Sequence, residues 1–173
     1  MNFTLAITII ILCLAVTNDV RFRRIPNWLT FPAMSAALTY HLCTSGISGF
    51  GMSITGLIIG GSIFFVFYIM GGMGAGDIKL MAAIGALFGP KDILYIALFT
   101  AIAGGIYAVA LLLATRKKQA IMQCAVIARN FLSTGFLAFK DGGAQEKRAS
   151  LRYGIAIAAG TIAVLIKNNM IHF

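Results

Sequence analysis

Apolar residues run along this chain in long stretches, broken at short intervals by glycine, proline or small clusters of charge. Reading the apolar runs between charges gives six candidate spans, near 3–20, 28–44, 52–70, 73–90, 93–114 and 151–167. A membrane-crossing helix needs about 20 mainly apolar residues. The pattern therefore predicts an all-α polytopic membrane protein of about six transmembrane helices, forming a single membrane-embedded domain over 1–173.

One further stretch, 119–139, is apolar but carries Arg129 at its centre, with Gln119, Gln123 and Asn130 nearby. Arg116, Lys117 and Lys118 precede it, and Lys140, Lys147, Arg148 and Arg152 follow it. Lys and Arg close to span ends favour the cytoplasmic side. Both flanks thus prefer the same side, and a segment of that kind does not cross once. It reads as an interfacial amphipathic helix or a re-entrant piece within a cytoplasmic segment 115–150, with 151–167 as the last transmembrane helix.

The same rule sets the expected orientation. Phe3–Thr17 has no basic region before it and no small-residue cleavage site after it, so it reads as a span rather than a signal peptide. The charges come afterwards, at Arg21, Arg23 and Arg24, which places the N-terminus outside. Loops at 21–27, 71–76 and 115–150 then fall inside. Those at 45–51 and 90–92 fall outside with only Lys91 and Asp92, as does the tail with Lys167.

Composition narrows the function classes. Hydrophobic residues make up 60% of the 173 and charged residues 11%, so lipid is the solvent for most of the chain. The net charge of +9 sits in short clusters between apolar runs, which marks cytoplasmic loops and gives no reason to expect a nucleic-acid partner. Cys13, Cys43 and Cys124 form no C-x-x-C pair and have no nearby His, so neither a metal site nor a disulfide framework is expected. In apolar runs, Cys13 and Cys43 act as small hydrophobes. Gly56 and Gly60 are spaced as small-xxx-small, and Gly61, Gly104 and Gly105 also fall within spans, a pattern that lets helices pack closely in lipid.

Of five acidic residues, Asp92, Asp141 and Glu146 read as solvated loop charges. Asp19 and Asp77 adjoin long apolar runs, where an ionisable group is costly unless paired or wet. Roughly 17 Å of helix separates Asp77 from Gly89-Pro90, too short for a hydrocarbon core of about 30 Å. The span is expected to begin before Asp77 and to draw it into the cytoplasmic leaflet. The Gly71–Gly76 run permits φ > 0 and close approach of a substrate backbone, which suggests a cavity; a flexible turn is the competing reading. Asp19 alone reads as a helix-end charge paired with an arginine. Topology changes this, because two further crossings return the chain to its side. Two carboxylates sharing one site hold a single proton between them, as in aspartic proteases, where one activates water and the other polarises the scissile carbonyl. That chemistry requires no cofactor.

These residues resemble a known family. Gly74-Ala-Gly-Asp77 matches the GxGD signature of intramembrane aspartyl proteases, and Asp19 followed by Arg23-Arg24-Ile-Pro-Asn27 resembles the other half of the prepilin peptidase pattern. The likeness covers 3–114 and is closest to the short prepilin peptidases of the tight-adherence or Flp pilus type, with archaeal preflagellin peptidases as cousins. It implies Asp19 and Asp77 as the catalytic pair and a pilin or pseudopilin precursor as substrate, cut at the cytoplasmic face of a bacterial or archaeal membrane. The paired C-x-x-C motifs of longer relatives are missing, which argues against N-methyltransferase activity. Gly74, Gly76 and Lys79 then belong to the active-site loop and substrate approach, with Lys79 either snorkelling to the interface or meeting an acidic substrate residue. Pro26 and Asn27 shape the turn into the second span. Presenilin-type proteases share GxGD on a longer chain, and a transporter or scaffold binding protons or cations explains Asp77 but not the first motif.

Overall fold

A computed structural model describes residues 2–22, 25–69, 73–115 and 153–171. They form four helices: α1 (Asn2–Phe22), α2 (Asn27–Ile69), α3 (Ala75–Thr115) and α4 (Tyr153–Ile171). No strand occurs among the described residues. Three stretches are long and apolar enough to cross a membrane: Thr4–Phe22, Asn27–Ile69 and Ala75–Tyr107. The apolar part of α4, Tyr153–Lys167, is shorter. The segment 119–139, with Cys124, lies outside the described residues.

The two long helices are each broken at one glycine. Gly46 has φ 61° and ψ −148°, and Gly89 has φ 78° and ψ −177°, a region that side-chain-bearing residues rarely adopt. Each break splits its helix in two, 27–45 from 47–69 and 75–88 from 90–115. The expected loops at 45–51 and 90–92 are thereby corrected: a single glycine does the work of each, and helix resumes at the next residue. The reversal at Gly46 is tight, since a Cβ on Gly49 would lie 2.5 Å from the His41 carbonyl oxygen and 2.6 Å from the Ser45 Cβ. After Gly89, Pro90 opens the next half-helix, where its missing N–H and fixed φ suit a first turn.

Contacts between the halves give their directions. A Cβ on Gly56 would fall on the Gly85 carbonyl oxygen and one on Gly85 would fall on that of Gly56, while Gly60 faces the Met81 carbonyl. The 47–69 and 75–88 halves are therefore antiparallel with backbones in direct contact, as the Gly56/Gly60 spacing predicts. Gly104 packs by Tyr153 and Gly160 against Thr100, and the Lys167 ammonium sits 3.8 Å from the Tyr95 ring centre, so α4 runs antiparallel to 90–115. From 27–45 to α4, successive helical segments thus reverse direction. One end of the bundle gathers Asp19, Ile25–Asn27, Met73–Lys79 and Tyr153–Gly154.

Burial follows helical periodicity. On α1 the buried stripe is Thr8, Ile11, Leu12, Ala15 and Asp19; on 47–69 it is Gly49, Ser53, Gly56, Gly60 and Phe64. The 75–88 half differs, because every residue from Leu80 to Leu87 is buried. At 14 residues it spans about 21 Å, less than a bilayer core, and it is enclosed by the other segments.

Breaking that central helix frees carbonyl groups, which need partners where water is scarce. Pro90 has no N–H to offer Ala86 four residues back; the buried Ser53 hydroxyl donates to that carbonyl instead, at 2.7 Å. The Leu87 carbonyl meets His41 Nε2 at 3.1 Å. Replacing Ser53 by Ala is expected to lower thermal stability in detergent by about 1–3 kcal/mol, the cost of an orphaned buried acceptor. Gly56→Ala is expected to cost a similar amount, about 1–3 kcal/mol, because its methyl meets backbone rather than a movable side chain. Gly51→Ala, with open space around its Cβ, serves as the control and leaves the melting temperature unchanged or slightly raised.

Candidate active site

Asp77 lies in the first turn of α3, two residues after the helix begins at Ala75. The helix thus begins before Asp77, close to the expected start at 73, and Met73 and Gly74 precede it and shape its entry. The Asp77 N–H donates to the Gly74 carbonyl at 3.1 Å, and the Gly74 N–H donates back to Asp77 Oδ2, also at 3.1 Å. This is the reach-back half of a capping box, with the third helical residue satisfying the N–H of the cap. The positive end of the helix dipole favours a carboxylate there. Local sequence alone accounts for the arrangement, so a Gly-x-Gly-Asp start presents its acid in a set orientation.

The glycines of the motif are engaged with their own chain. A Cβ on Gly76 would lie 3.0 Å from the Ile25 Cβ and 3.2 Å from the Ile25 nitrogen, so this face is taken by the segment leading into α2. The expectation that these glycines leave room for a substrate backbone is therefore not met at Gly76. Gly74 is exposed and supplies its N–H to Asp77. Gly71 and Gly72 lie outside the described residues.

Asp19 ends the inward stripe of α1, one turn beyond Ala15, which is why it points into the bundle. Its exposure is 6%, against 7% for Asp77. Oδ2 of Asp19 accepts the Gly154 N–H at 3.0 Å, from the first turn of α4. The two carboxylates lie within electrostatic reach of one another, so the fold brings together residues 58 positions apart. Gly154 is a site residue that the sequence reading missed. No motif flags it, and only its place at the start of the last apolar run could have drawn notice.

The remaining candidates also converge. Lys79 donates to the Asn27 side-chain carbonyl at 2.8 Å and sits 5.4 Å from the Phe31 ring centre. Asn27 thus does more than shape a turn: it ties the start of α2 to the helix carrying Asp77. Pro26 lies at the entry to α2, its carbonyl accepting the Leu29 N–H at 3.2 Å. Beside the pair lies an apolar cavity of about 230 Å³ lined by Phe64, Phe67, Met73, Thr100, Gly104 and Tyr153 among others. Met73 and Tyr153 are the chain neighbours of the two N–H donors, Gly74 and Gly154. No group of three or more His, Cys, Asp or Glu able to hold a metal occurs among the described residues.

The Asn27–Lys79 contact is exposed and Lys79 keeps its aromatic neighbour, so Asn27→Ala is expected to cost no more than about 1 kcal/mol. Asn27→Asp, which offers the ammonium a charged acceptor, should retain wild-type stability or slightly exceed it. Thermal unfolding of both variants in detergent checks the order; equal losses would mean that the contact contributes nothing.

A family model, the type IV leader peptidase family, matches residues 6–109, more than half of the chain. The match takes in most of α1, all of α2 and α3 as far as residue 109, and so includes both aspartates, Asn27 and Lys79. It ends before α4. No curated protein and no solved structure matches the chain significantly. A leader peptidase family agrees with helices suited to a membrane. The chain belongs to the type IV leader peptidase family.

Proposed function

We propose that this chain is an aspartyl prepilin peptidase in which Asp19 and Asp77 together hydrolyse the leader peptide bond of a type IV pilin or pseudopilin precursor. The observation that carries the reading is the pair itself: two buried carboxylates within electrostatic reach, each accepting a glycine N–H through Oδ2. Buried and close together, such groups share one proton. The ionised member accepts a proton from water as its oxygen attacks the scissile carbonyl carbon, and the protonated member donates to the carbonyl oxygen. Collapse of the tetrahedral intermediate breaks the C–N bond, and the amine leaves with a proton from the dyad.

The helical segments support a reading of six crossings with the N-terminus outside and the dyad end on the cytoplasmic side, the side that Arg21 and the basic sequence Arg116-Lys117-Lys118 favour by charge. A pilin precursor approaching with its basic leader in the cytoplasm and its hydrophobic helix in the bilayer would meet the dyad from that side. The spacing of its two motifs, Asp19 and Gly74-Ala-Gly-Asp77, favours the Flp type of pilin. Lys79, already bonded to Asn27, acts in this reading by bracing the start of α3.

Incubating the purified chain with a pilin precursor and following release of the leader tests the proposal. Asp19→Asn and Asp77→Asn are each expected to lower cleavage by at least about 10⁴-fold, and chelators should leave the wild-type rate unchanged. Normal cleavage by either variant would refute the dyad. Ion flux lost in both variants, with no cleavage by the wild type, would favour a transporter instead.

A further inference from the structure

The family match ends at residue 109, yet Asp19 is held by a residue 45 positions beyond it. Gly154 stands in the first turn of α4, where a helix leaves its backbone N–H groups without intrahelical partners. Asp19 stands in the last turn of α1, where the negative end of the helix dipole disfavours a carboxylate. The N-terminus of α4 brings a positive end and a directed donor to that position.

The fit leaves no room for a side chain. Gly154 is buried, and a Cβ on it would lie 2.7 Å from Asp19 Oδ2 and 3.1 Å from the Asp19 Cβ. Further along α4, Gly160 packs directly on Thr100, and beside its start Gly104 packs on Tyr153. These contacts set the register of α4 against α3, and that register delivers the Gly154 N–H to Asp19.

We infer that Gly154 is a positioning residue for Asp19, and that α4, outside the region matched by the family, is a required part of the active site. The inference rests on the aspartyl-dyad reading. Gly154 acts through Asp19: by holding one carboxylate oxygen it fixes the rotation of the group, and with it the place of the shared proton and the attacking water. Misplacing a reacting group by about 1 Å can cost about a hundredfold in rate.

The test uses the full chain in detergent with a pilin precursor. Gly154→Ala keeps the N–H but pushes a methyl into Asp19; kcat is expected to fall by about tenfold to a hundredfold with KM nearly unchanged, and the pH profile of kcat to move. A wild-type kcat and pH profile in this variant would overturn the inference. So would a loss that merely tracks the amount of folded protein while the pH profile stays put. A second measurement needs no cleavage. Gly154→Ala is expected to lower the melting temperature in the native background and clearly less in the Asp19→Ala background, because the two side chains compete for one space. Equal drops in both backgrounds would overturn it. If Gly154→Ala yields no folded protein, recovery of folded protein by Asp19→Ala is the expected result, and failure to recover it counts against the inference. Absence of cleavage by the wild type would defeat the protease reading while leaving this stability comparison decisive for the contact.

Discussion

The direct contact between the backbones at Gly56 and Gly85 is the constraint on which the rest of this bundle depends. Glycine inside a helix costs about 1 kcal/mol of intrinsic propensity relative to alanine, yet here it lets two helices approach until carbonyl meets Cα. That approach seats the short 75–88 half at the centre, enclosed from Leu80 to Leu87. Asp77 sits at the head of this half, so the packing of two glycines some twelve ångström along the helix axis determines where the acid is presented.

Enclosing a short, broken helix creates a polar problem that the fold solves locally. Two of the carbonyl groups before the break find partners from neighbouring segments: Ser53 for Ala86, His41 for Leu87. The same logic operates at the opposite end with the signs reversed. There the orphans are N–H groups at helix starts, Gly74 before α3 and Gly154 in α4, and the acceptors are carboxylates. Helix termini that would be liabilities in an apolar medium hold the two acids in place. The site is thus a consequence of how the bundle closes its polar accounts.

The reversals at Gly46 and Gly89 belong to the same economy. A loop of several residues would expose further backbone, whereas one residue at positive φ turns the chain and lets helix resume immediately. The starts of α2, α3 and α4 and the end of α1 all reach one end. Candidate site residues drawn from four helices meet there without any long connecting loop among the described residues.

Much of this was legible in the sequence. Apolar runs marked the helices, the Gly56/Gly60 spacing marked a packed face, and the position of Asp19 and Asp77 beside apolar runs marked them as unusual, all because these signals are local and periodic. The Gly-x-Gly-Asp start even encodes its own cap, since the partners are three residues apart. Long-range contacts left no such trace. That Gly76 abuts Ile25, that Asn27 bonds Lys79, and that Gly154 supplies an N–H to Asp19 were decided only when helices far apart in sequence packed together. A backbone N–H is present at nearly every residue, so nothing in the sequence distinguishes the one that tertiary structure will aim at a carboxylate.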